Sequence, residues 1–229
     1  MKFLKNIFIF LLIPAVLAAG YVLVKNILDF TINFSDLCLP FWIGILCYVV
    51  FQLVFYRPMK TYIFGHELSH VIVGILSGAK IKKFNVTNQS GSVVLTKNNI
   101  WITLAPYFFP VYTLLILLIY ICLGWFINIK QFYKYFLFFI GFSIAFHIML
   151  TVYILSVRQP DLKVYGIFFS HIIILAINIV VFDLILSLIF TEVVNLKDIF
   201  LQSCKNIINI YKFIYIGVLG IWLAFQEMK

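Results

Sequence analysis

Charge is what this chain has least of. Only 11% of its residues are Asp, Glu, Lys or Arg, against about a quarter in an ordinary soluble domain. Acidic residues number eight and histidines four in a chain of 229. Cys38, Cys47, Cys122 and Cys204 are scattered, with no CxxC pair, so neither a disulfide framework nor a thiolate zinc site is encoded. What fills the chain instead is apolar. Hydrophobic residues make up 64% of it, Phe alone accounts for 26 positions, and the mean hydropathy is +1.11. A soluble fold of this size has too little interior to hide that surface. Intrinsic disorder and a nucleic-acid-binding domain are excluded with it. The net charge of +9 does not revive the latter. The basic residues gather in short clusters between apolar runs, such as Arg57–Lys60, Lys80–Lys83 and Lys130–Lys134, where they anchor spans at lipid headgroups.

A membrane span needs roughly 20 apolar residues. Seven runs meet or approach that: Ile7–Val24, Leu39–Tyr56, Thr61–Ser77, Ile100–Ile129, Phe132–Ser156, Val164–Phe190 and Ile207–Phe225. The expectation is an all-α polytopic membrane protein of about seven transmembrane helices, a single integral membrane domain over residues 1–229. Within it lie N-terminal spans over 1–60, a core over 61–190, and an amphipathic segment with a C-terminal span over 191–229. The first run begins like a signal peptide, with Val16-Leu17-Ala18 as a cleavage site, but continues to Val24 and reads as a retained anchor. Thr191–Asn206 sets Val193, Leu196 and Phe200 against Glu192, Lys197 and Asp198, the pattern of a surface-lying amphipathic helix. Gly78–Asn99 is the longest polar stretch. Its β-prone runs Ile81–Thr87 and Ser92–Thr96 around Asn88-Gln89-Ser90-Gly91 predict a short β-hairpin over 81–96. Pro106 and Pro110 read either as a break or kink within Ile100–Ile129 or as the end of a shorter span. Alternating the basic residues over seven spans leaves nine on one side and eight on the other, so the positive-inside rule assigns no orientation.

Chemistry concentrates in the third run, at Gly65-His66-Glu67-Leu68-Ser69-His70, an HExxH motif. Chance would place that pattern in roughly one such chain in a thousand. Positions i and i+4 share a helix face, so both imidazoles can hold one metal ion. Glu67 can then reach a metal-activated water and take its proton. A carboxylate inside a span costs about 2.5–3.5 kcal/mol on insertion scales, and a divalent cation compensates it. Catalytic zinc normally takes three protein ligands and water. Two residues compete for the third place. Asp161 follows Pro160 near a helix start, on the same side of the membrane as the carboxyl end of the motif helix. His147 lies at the depth of His70, and its other reading is a hydrogen-bond donor to the developing oxyanion. His171 and Asp183 read as helix–helix hydrogen-bonding residues.

With these pieces assembled, the sequence resembles the site-2 protease clan of intramembrane zinc metallopeptidases, nearest its small branch without a PDZ domain, the M50B-like proteins. The resemblance covers roughly residues 62–170. It rests on His66-Glu67-Leu68-Ser69-His70, the Ile81–Thr96 hairpin and Gln159-Pro160-Asp161, with Ala105-Pro106-Tyr107 and Phe146-His147 as weaker matches. It implies that His66, His70 and Asp161 bind Zn2+, that Glu67 is the general base and acid, and that the site opens to the cytoplasmic side. The expected substrate is a membrane-anchored protein or peptide, and the hairpin's edge strand reads either as its β-augmentation site or as a simple connector. The chain departs from the clan's pattern after the aspartate, where Leu162 replaces the usual Gly, and before it, where Gln159 takes the place of Asn. Lysine supplies 15 of the 17 basic residues, alongside many Ile, Phe and Asn, a composition that fits a prokaryotic AT-rich genome; the expected setting is multi-pass in a prokaryotic cytoplasmic membrane.

Rival readings are weaker. A membrane di-iron oxygenase needs several histidine boxes, and four histidines do not supply them. A metallopeptidase with a glutamate third ligand has only Glu192 and Glu227 to draw on. The serious alternative is a non-catalytic membrane protein that keeps the scaffold for binding or transport, for which Glu67 has no evident use.

Overall fold

The computed structural model describes residues 2–157, 159–190 and 195–227. It is mostly helical, and its order is α1 (Lys2–Asn33), α2 (Ser35–Phe55), α3 (Met59–Leu76), β1 (Ile81–Val86), β2 (Gly91–Leu95), α4 (Ile100–Phe108), α5 (Val111–Leu123), α6 (Tyr133–Ser156), α7 (Pro160–Tyr165), α8 (Ile167–Ile189) and α9 (Leu196–Glu227). Among the described residues five helices are long and apolar enough to cross a membrane: Ile7–Asn33, Asp36–Phe55, Ile129–Ser156, Ile167–Ile189 and Leu196–Leu223. The pair α4 and α5, bent by 76°, raises the number to six if it counts as one span. This is consistent with a multi-pass membrane protein; length and composition alone do not reach the seven spans expected. The missing one is α3, whose hydropathy is lowered by Lys60 and by the motif's own His66, Glu67 and His70.

Other boundaries also move. The run Ile100–Ile129 is not one straight span. Pro110 has no N–H with which to continue the hydrogen-bond ladder of α4, and the chain changes direction between Phe108 and Val111. Nor does the C-terminal part divide at Asn206. From Leu196 it is one unbroken helix, because no proline interrupts 196–227 and the polar residues near Asn206 are compatible with a helix. Glu192 and Val193 of the expected amphipathic segment lie outside the described residues.

Contacts divide the chain into two units, Met1–Asn33 with Leu175–Lys229, and Phe34–Ile174. In the first, α1 packs with α9, and its Gly20 faces Ile179 of α8. Tyr211 donates a hydrogen bond to the Leu11 carbonyl, and Phe30 meets Phe190 with ring centroids 4.2 Å apart.

The second unit carries the motif. Its scaffold is α2 against α6, and glycines set the separation. A Cβ on Gly44 would enter the Phe138 carbonyl, and one on Gly141 would enter that of Phe41. Each helix thus gives the other a bare patch, the small-residue device of membrane helix pairs. Around it Tyr48 packs edge-on to Phe142 and Phe146, while Thr113 and Ser143 share a buried 3.0 Å hydrogen bond between α5 and α6. The remaining layer is α3, packed on α4, α5 and the hairpin. As expected, β1 and β2 pair antiparallel, with Val86 opposite Gly91.

Candidate metal centre

Packing against glycines fixes how α3 sits. Tyr112 of α5 lies against Gly65, where a Cβ would come within 2.7 Å of its ring, and its hydroxyl donates to the Thr61 carbonyl at 2.6 Å. At the other end Leu95 of β2 fills the space beside Gly74. Between them Glu67 lies against Gly91, where a Cβ would fall 2.5 Å from Oε1 and 2.8 Å from the carboxyl carbon. β2 therefore runs along the motif helix from Glu67 to Gly74, and any side chain at position 91 would displace the glutamate.

The helical spacing does what it implied. His66 and His70 stand one turn apart with ring centroids at 5.1 Å. Asp161 meets them from α7, which Pro160 opens at its first turn. Gly166 closes that helix at φ 92, a backbone region suited to glycine. Asp161 Oδ2 is 3.5 Å from His66 Nε2 and 3.6 Å from His70 Nε2, and the ligand atoms of the three residues lie within 4.8 Å of one another. Among the described residues no other group of His, Cys, Asp and Glu converges in this way.

The three residues could hold a metal ion, and two of their three ligand separations can be set against a tetrahedral one. Ligand atoms about 2.1 Å from a tetrahedral ion stand about 3.4 Å apart, close to both observed separations. Two imidazoles and one carboxylate are also a three-ligand set that leaves a fourth position for water or substrate.

Each ligand is held from behind. His70 Nδ1 lies 2.7 Å from the Ile102 carbonyl. A carbonyl only accepts, so Nδ1 carries the hydrogen, and in the neutral ring Nε2 is left with the lone pair that a metal ion needs. Tyr107 is fully buried, donates to Asp161 Oδ2 at 3.1 Å, and presents its ring edge-on to His66 at 5.4 Å. Tyr62 places its hydroxyl 3.5 Å from His66 Nδ1. Burial works against the charged form of Asp161, but hydrogen bonds and charge from His66 and His70 outweigh it and hold the carboxyl well below the usual carboxylate range.

A cleft of about 510 Å³ opens on this group. His66, Glu67, His70 and Asp161 line it together with all five residues of β2, and Lys97, Asn98 and Gln159 give it polar walls. β2 belongs to a two-stranded sheet and pairs only with β1, so its second edge has no strand on it among the described residues.

Of the residues singled out in the sequence, His66, Glu67, His70 and Asp161 meet at one cleft. His147 does not join the group. It is buried within α6, on the helix that packs against α2 and α5. His171 bonds to the Ile167 carbonyl of its own helix, and Asp183 is buried in α8, within the other unit. The role of Tyr107 was not legible. Its contact joins residues 54 apart in the chain, and the only sequence signal was its place after Pro106. Comparison of the chain with protein-family models, with curated proteins and with solved structures finds no match.

Proposed function

We propose that this chain is a zinc-dependent endopeptidase that hydrolyses peptide bonds of membrane-associated substrates, built like the site-2 protease clan. The observation that carries this reading is the meeting of Asp161 Oδ2 with both imidazole Nε2 atoms at 3.5 and 3.6 Å, beside a glutamate that lines the same cleft. His66, His70 and Asp161 are the residues that would hold the ion. Bound there, zinc supplies Lewis acidity, polarising a carbonyl and bringing water towards a pKa of about 7.

The remaining work belongs to the chain. Glu67 accepts the proton of the attacking water and passes it to the leaving amine. Gly91 leaves the space in which that carboxylate stands. β2 receives the substrate as an added strand, its ladder hydrogen bonds replacing those of the helix that the substrate must give up. Counted with α3 inside the bilayer and the bent pair as one span, the helices number seven, and a prokaryotic cytoplasmic membrane is the proposed setting. His147 stays outside the ligand set and keeps a packing role.

The test is cleavage of an unfolded membrane-anchored reporter by the purified protein. A zinc chelator abolishes cleavage and stoichiometric zinc restores it. Cleavage that survives complete removal of metal contradicts the proposal. The scaffold-only alternative predicts no cleavage under either condition.

A further inference from the structure

The HExxH helix supplies two ligands and α7 the third, yet two of the three are braced by α4, which supplies none. The brace on His70 has an origin in covalent structure. In an α-helix the carbonyl of residue 102 accepts from the N–H of residue 106. Residue 106 is Pro106, which has no N–H and whose ring pushes away the carbonyl four residues before it. Ile102 is buried at 2% exposure, so its carbonyl needs a donor from within the protein. His70 Nδ1 is that donor, at 2.7 Å. Asn99 caps α4 by accepting from the Ile102 N–H at 2.9 Å, and Thr103 donates to Asn98 Oδ1 at 2.9 Å. The start of the helix, and with it residue 102, is thereby fixed in place.

We infer that Pro106 is a positioning residue for the metal centre: by removing one helical N–H it releases the Ile102 carbonyl to His70 and thereby fixes the tautomer and ring orientation that present Nε2 to the ion. The inference rests on the metal-site reading above and adds a residue that touches neither metal nor substrate. Bend and brace share a helix. α4 carries this released carbonyl at one turn and, at Tyr107, the hydroxyl that holds Asp161, just before the chain turns by 76°.

The experiment measures zinc affinity of the full chain in detergent by competition with a chromophoric chelator, together with the visible spectrum of the Co2+-substituted protein. In Pro106→Ala the restored N–H competes for the Ile102 carbonyl. Affinity falls about 10–100-fold, the range for lost outer-shell partners, and the Co2+ ligand-field bands shift while far-UV circular dichroism is unchanged. Lactic acid placed at position 106 by nonsense suppression is the rescue. Its ester has neither N–H nor ring, and the wild-type affinity and spectrum return. Wild-type affinity in Pro106→Ala overturns the inference and leaves the metal site standing. So does an ester variant as weak as the alanine one, because the ring and not the missing N–H then governs the site. A wild-type chain that takes up neither zinc nor cobalt overturns the metal-site reading and this inference together.

Discussion

Exchange of Glu67 for glutamine is expected to leave zinc content at the wild-type level and to lower the turnover of a cleaved reporter by about 10²–10⁴-fold, the usual worth of a positioned proton acceptor. The reasoning separates two functions within one helical turn. His66 and His70 face Asp161, whereas Glu67 is directed to the cleft wall formed by Gly91. Glutamine has nearly the same shape and fills the same space, so neither the approach of β2 nor the ligand triangle is disturbed. What it lacks is a lone pair basic enough to take a proton from water. Reporter turnover and metal analysis on the same preparation decide the matter. Wild-type turnover with full zinc removes Glu67 from the chemistry, and loss of zinc shows that the residue serves the metal instead.

The second large effect concerns the third ligand. Asp161→Ala is expected to reduce zinc from one equivalent towards none, a loss of affinity beyond the 10–100-fold that outer-shell changes cost. His147→Ala is expected to leave the stoichiometry at one. The contrast follows from position. Asp161 reaches both imidazoles from a helix that begins at Pro160. His147 is packed in the body of α6, where loss of its ring leaves a space among helices and leaves the triangle intact. Elemental analysis of the two purified variants is sufficient. Full zinc in Asp161→Ala, or empty protein from His147→Ala, assigns the third position to the histidine.

How far the sequence foretold this arrangement depended on how local the signal was. The motif helix follows from an i, i+4 spacing, the hairpin from two β-prone runs around a polar turn, and the start of α7 from Pro160. In each case the determinants lie within a few residues of the result. The break between α4 and α5 was legible for the same reason, since a proline acts on its own helix. Contacts that close through space left no such trace. Nothing within the segment Ala105-Pro106-Tyr107 announces that its hydroxyl and a released carbonyl brace Asp161 and His70. Both assignments need the fold to bring together residues tens of positions apart.

The span count turns on composition. A helix that must carry two histidines, a glutamate and a lysine loses the apolar signature by which spans are recognised, so the motif that makes α3 conspicuous also keeps it out of the set recognised by length and hydropathy. At the C-terminal end composition misleads in the other direction. Polar residues around Asn206 resembled a boundary, but no proline or capping sequence enforces one, and the helix continues through them. The glycine contacts form a third class. Gly44 and Gly141 read as ordinary span residues until the opposing carbonyls of Phe138 and Phe41 show why a methyl group does not fit.

The most direct test of the central claim is an anomalous difference map of the zinc-loaded protein, recorded on both sides of the zinc edge. One peak is predicted, bonded to His66, His70 and Asp161 at about 2.0–2.2 Å, with its fourth position open to the cleft that Glu67 and β2 line. A map without a peak there, or one in which His147 replaces Asp161 around the ion, contradicts the account.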